Sequence, residues 1–92
     1  MMLLRDLNDV EKFKEAVAAC NSDVILRSID GREEFNLKSQ LSQHMAINRL
    51  RDEHGDDYEV FCTDRSEMGP LIIFFREIRE RKEREAAAAA QE

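Results

Sequence analysis

The dipeptide Asp30-Gly31 separates two runs of strand-forming residues, and this arrangement constrains the fold more than any other feature of the chain. Before it, Asp23-Val24-Ile25-Leu26-Arg27-Ser28-Ile29 is rich in β-branched residues. After it, Glu33 to Lys38 places Phe35 and Leu37 on one face and Glu34, Asn36 and Lys38 on the other. Asp-Gly tolerates the positive φ angles of a tight turn, so the two runs are expected to form an antiparallel hairpin with one wet face.

Helical periods flank the hairpin. From Asn8, the residues Val10, Phe13, Val17 and Cys20 fall on one face with Ala16 beside them, which predicts a first helix capped by Asn8 or Asp9 and stopped at Asn21-Ser22. Ser39 opens a second helix, with Ala46, Ile47, Leu50 and His54 on one side, Leu41 and Met45 off it, and Gly55 as its stop. Tyr58, Val60 and Cys62 then alternate with Glu59, Phe61 and Thr63, the period of a third strand. After Gly69-Pro70, Leu71, Phe74, Phe75 and Ile78 fit the i, i+3, i+4, i+7 template of a third helix, with Pro70 suited to its first turn.

Three helices and three strands in this order suit an α+β fold, an open-faced sandwich in which a small antiparallel sheet is covered on one face by helices. At 92 residues the chain has material for a single core. The expected division is one domain over residues 1–80, followed by a charged, Ala-rich helical extension or frayed tail over 81–92.

Composition narrows the function classes. The chain is 37% charged with a formal net charge of -6 and a pI near 4.9. Nucleic-acid and anionic-membrane binders need a basic face, so neither partner is expected. No apolar run approaches the ~18 residues of a membrane span, and no basic leader precedes an apolar stretch, so the default location is cytoplasmic. Cys20 and Cys62 form no Cys-x-x-Cys pair and read as buried free thiols. His44 and His54 lack a paired-ligand spacing, so no metal site, no cofactor and no catalytic residue are expected.

The stretch Asp23-Val24-Ile25-Leu26, Asp30-Gly31 and Asn36-Leu37-Lys38-Ser39 at the start of a helix resembles HPr, the histidine-containing phosphocarrier of the bacterial sugar phosphotransferase system. Phe13-Lys14-Glu15-Ala16 is similar to the end of the family's first helix, and Gly55 to Val60 to its approach to the last strand, so the resemblance spans roughly residues 9 to 80. It implies an HPr-like open-faced sandwich. The family carries its phosphate on a histidine just before the first helix, in a His-x-Arg-Pro pattern. Here that segment is Asp6-Leu7-Asn8-Asp9-Val10, with two carboxylates where a phosphate needs positive charge. The first strand is shortened to Met1 through Leu4 at most.

The resemblance also implies partner docking around the second helix. Its candidate contacts are Lys38, Leu41, His44 and Met45, with Ser39 either an ordinary helix cap or, as in many Gram-positive members, a site of regulatory phosphorylation. Ile72 and Ile73 escape the core face of the last helix, and Ile72 is the candidate contact for a homodimer built along that helix. The expected role is a non-catalytic protein-interaction or regulatory module. The alternatives are a phosphocarrier component with an unrecognised acceptor, or a structural protein that dimerises through the C-terminal helix.

Overall fold

A computed structural model of the chain describes residues 3–90, and the outer ends of the shortened first strand and of the Ala-rich tail, Met1-Met2 and Gln91-Glu92, lie outside the described residues. The elements run α1 (Leu7–Ala18), β1 (Val24–Ser28), β2 (Glu34–Asn36), α2 (Gln40–Leu50), β3 (Tyr58–Cys62) and α3 (Gly69–Ala90), with short 3-10 turns at Gly55–Asp57 and Arg65–Glu67. The fold is α+β.

The hairpin forms where Asp30-Gly31 placed it. Gly31 has φ 77°, and Leu26 stands opposite Phe35. β3 pairs antiparallel with the other side of β1, Leu26 opposite Val60, giving the order β2-β1-β3. Alternation divides the sheet into two faces. Val24, Leu26 and Cys62 are buried beneath the helices, with Val60 packed against them. The other face carries Arg27, whose guanidinium pairs with Glu59 at 2.8 Å and lies 5.1 Å from the Phe61 ring centre. All three helices therefore cover one face, as in an open-faced sandwich.

The core is built from the stripes read in the sequence. Phe13 and Val17 of α1, Ala46, Ile47 and Leu50 of α2, and Leu71, Phe74 and Ile78 of α3 are buried. Phe13, Phe74 and Phe75 form a tilted ring cluster with centres 5.1–6.3 Å apart, a geometry that adds to area burial. Leu4 is buried too, but Leu3 and Leu4 join no strand: both amides donate to Leu50 O, at 2.9 and 3.1 Å.

Two boundaries differ from the sequence expectation. α1 is capped by Asp6, whose carboxylate accepts from the Asp9 amide at 3.0 Å; Asn8 and Asp9 lie inside the first turn. α2 ends at Leu50, four residues before His54, which is exposed and stands 3.6 Å from Asp57. Gly55 does not cap that helix. A Cβ there would lie 2.6 Å from Leu50 O and 3.2 Å from Leu3 N, so glycine is required where the N-terminal segment crosses the end of α2. α3 continues through the alanines, consistent with the high helix propensity of that residue.

Candidate partner-docking site

The start of α1 is closed by carboxylates. Asp6 occupies the cap, and Asp9 is buried in the first turn. Asp9 accepts a bidentate hydrogen bond from Arg81 of α3, at 2.8 and 3.0 Å, and a further one from the Arg5 amide at 2.9 Å. Burial pushes the Asp9 carboxyl up, but the Arg81 fork, the Arg5 amide and the two positive charges together hold it below the ordinary carboxylate value. One turn along α3, Glu85 accepts from Arg5 at 2.5 Å. Arg81 is thus fastened to α1 and Glu85 to the segment before it, and the Asp9 amide in the first turn donates to the Asp6 carboxylate.

The start of α2 is built differently. Asn36 turns the chain: its side-chain oxygen accepts from the Lys38 amide at 3.1 Å and its carbonyl from the Ser39 amide at 3.2 Å, an Asx turn. Ser39 occupies the cap position with extended backbone, but its hydroxyl makes no capping hydrogen bond. The cap reading is correct for position and wrong for the side chain. Ser39 is exposed at the start of α2, where first-turn amides have no partner within the helix.

Lys38 also differs from its expected role. Its ammonium donates to the carbonyls of Val17, at 2.9 Å, and Cys20. It satisfies carbonyls at the α1 C-terminus, where a cation is favoured by the helix dipole. Committed there, Lys38 is a tie between α1 and the β2–α2 turn.

Leu41 and Met45, one turn apart on α2, are 72% and 40% exposed. Leu7, at the start of α1, is 74% exposed. Leu7 and His44 meet in a shallow groove of about 370 Å³ between α1 and α2, with Val10 and Ile47 at its base and Lys14 and Arg51 on its rim. No acidic residue lines this groove, although the protein carries a net charge of -6. The structure places His44 in this groove with Leu7, while Leu41 and Met45 are exposed on α2 and do not line it. The signal for Leu7 was present in the sequence: an apolar residue off the Val10, Phe13, Val17 stripe.

Ile72 lies elsewhere. It is half exposed, in a groove of about 600 Å³ between α3 and β3 that also contains Val60, Leu71 and Phe75. Among the described residues β3 pairs with β1 alone, as an edge strand of the sheet.

Among the described residues no group of three or more His, Cys, Asp or Glu has the geometry to hold a metal ion, and no helix is long and apolar enough to cross a membrane. Compared with family models, curated proteins and solved structures, the chain matches none.

Proposed function

We propose that this chain is an HPr-like, non-catalytic module that binds a protein partner through the α1–α2 face and carries no phosphoryl group. One observation carries the reading: Leu7 and His44 meet in a groove rimmed by Lys14 and Arg51 and lined by no carboxylate, and Leu41 and Met45 are exposed on α2 outside that groove. Apolar side chains projecting from two neighbouring helices, with a basic rim, fit a partner segment that offers apolar anchors flanked by acidic residues.

The α1 N-terminus supports the second half of the proposal. Phosphate transfer there would need a nucleophile and a positive field. Asp6 supplies a cap and Asp9 is engaged by Arg81, so the local charge opposes a phosphorylated intermediate. Incubation with phosphoenolpyruvate and the general phosphotransferase enzyme, followed by intact mass at neutral pH, is expected to leave the mass unchanged. A gain of one acid-labile phosphate overturns the reading and favours the carrier alternative.

Ser39 gives this module a regulatory position. A phosphate on its exposed hydroxyl would sit at the α2 N-terminus, where the helix dipole favours negative charge. It would also place a dianion beside Leu41 and reverse the charge of a face suited to an acidic partner.

A second reading, association of two copies through α3, is favoured by the half-exposed Ile72 in the groove between α3 and the edge strand β3. Sedimentation of wild type and Ile72→Glu separates the two readings. A wild-type dimer that the substitution converts to monomer supports self-association, and a wild-type monomer at high concentration removes it.

A further inference from the structure

Cys20 follows the C-terminus of α1 and Cys62 ends β3, yet their sulfur atoms lie 2.9 Å apart. Both residues are at most 2% exposed. The Cys62 thiol donates toward Cys20 Sγ, and the Glu67 carbonyl lies 3.4 Å from Cys20 Sγ and 3.7 Å from Cys62 Sγ. The only two cysteines of the sequence are thus brought into contact from 42 positions apart. A disulfide has its sulfurs about 2.05 Å apart, so bond formation needs an approach of less than an ångström. We propose that Cys20 and Cys62 form a disulfide-competent pair, oxidised by a hydroperoxide to an intramolecular cross-link between α1 and β3.

The chemistry balances with hydrogen peroxide as the oxidant. The Cys20 thiol loses its proton and attacks one peroxide oxygen; the O–O bond breaks, one water leaves, and Cys20 becomes a sulfenic acid. Cys62 sulfur then attacks the Cys20 sulfur, the S–O bond breaks, and the hydroxyl departs with the Cys62 proton as a second water. Two thiols have lost two hydrogens and two electrons, and one peroxide has become two waters. Burial, followed by the contact with Cys20, pushes the Cys62 thiol up to about 12. That shift opposes early ionisation of Cys62, and its thiol donates toward Cys20 Sγ, so Cys20 takes the first step and Cys62 gives up its proton only as it attacks.

The short turn Arg65–Glu67 controls access. The Glu67 carboxylate accepts from the amides of Asn21 and Ser22, both at 2.9 Å, and so fastens the turn over the two sulfurs. A peroxide reaches the pair when this latch opens. Removing the carboxylate should therefore hasten oxidation, by freeing the turn and by removing a negative charge that helps hold the Cys62 thiol up.

The test is a time course of the full chain with hydrogen peroxide, sampled by alkylation under denaturing conditions, thiol counting by mass, and peptide mapping. The expected result is loss of both alkylatable thiols, a Cys20–Cys62 linked peptide, and a monomer on a non-reducing gel. The melting temperature should rise by on the order of 10 °C and return with dithiothreitol, because the cross-link closes a long loop in the unfolded chain. Cys62→Ser should show no such rise, and Glu67→Ala should form the cross-link several-fold faster. Met68, whose sulfur accepts from the Cys62 amide at 3.0 Å, serves as an internal monitor of peroxide reaching the site. Two intact thiols after Met68 has become the sulfoxide, or disulfide-linked dimers in place of the internal bond, would overturn the proposal.

Discussion

Single residues whose sequence role and structural role differ give the sharpest stability predictions. Lys38 reads from the sequence as a surface cation beside Ser39, but its ammonium is bound to Val17 O and Cys20 O. Hydrogen bonds to a charged group are each worth about 1.5–3 kcal/mol when well shielded, and Lys38 is largely exposed. Lys38→Met should therefore cost about 1–2 kcal/mol in urea unfolding, discounted for solvent. Gly55 is the stronger case. With Leu50 O only 2.6 Å from the Cβ that Gly55→Ala would add, either the backbone moves or the bonds from Leu3 and Leu4 to that carbonyl stretch. The expected loss is about 2–3 kcal/mol by the same measurement. A cost under half of that would mean that the crossing at Leu50 is loose.

At the scale of elements, α1 and α3 are joined by aromatic packing and by the Asp9–Arg81 pair. Breaking one partner of a shielded ion pair leaves the other charge without compensation, so Arg81→Ala should destabilise by about 2–4 kcal/mol. The pH dependence has a definite sign. The Asp9 carboxyl lies below the ordinary aspartate value of 3.8 in the folded state, so the pair's stabilisation is complete above that value and is lost as pH falls below it through the folded-state pKa. Asp9→Asn should unfold more readily at neutral pH and show a shallower further loss below about pH 4 than wild type. Identical acid limbs in chemical denaturation would remove Asp9 from the account.

The elements themselves were legible in the sequence because each rests on local information. Periods of 2 and 3.6 placed all three strands and all three helices, and Asp30-Gly31 placed the hairpin. The end of α2 was misread for a physical reason. Gly55 has the residue type of a helix stop, but it is required by its close approach to Leu50 O, with Leu3 N beside it, and not by its own φ angle. The Asp9–Arg81 pair spans 72 positions and Lys38–Val17 spans 21, and charges separated in this way have no local period to betray them. Of the candidate contacts Leu41, His44 and Met45, all on α2, His44 alone lines the α1–α2 groove. Ile72 belongs to another groove, and Leu7 joins the face only through tertiary packing.

For the whole molecule, two flanks are apolar and differ in character. The α1–α2 groove is polar-rimmed and basic, whereas the α3–β3 groove combines Ile72 and Phe75 with Arg76 and Arg79 on the helix and Glu59 on the strand. The proposed function assigns partner recognition to the first. Leu41→Glu and Met45→Glu alter exposed positions, so each should leave the melting temperature within a few degrees of wild type while weakening partner binding at least tenfold. Comparison with Ile72→Glu separates the flanks, because a partner held by α1–α2 is indifferent to Ile72.

The most direct measurement is site-specific photo-crosslinking in the source cells, with the photoreactive residue at position 41 and, as the contrasting site, at position 29 on the exposed end of the hairpin. The account predicts one discrete protein adduct from position 41, lost when Met45→Glu is combined with it, and no such adduct from position 29. Equal labelling from both positions, or an adduct from position 41 that survives Met45→Glu, would contradict docking through the α1–α2 face.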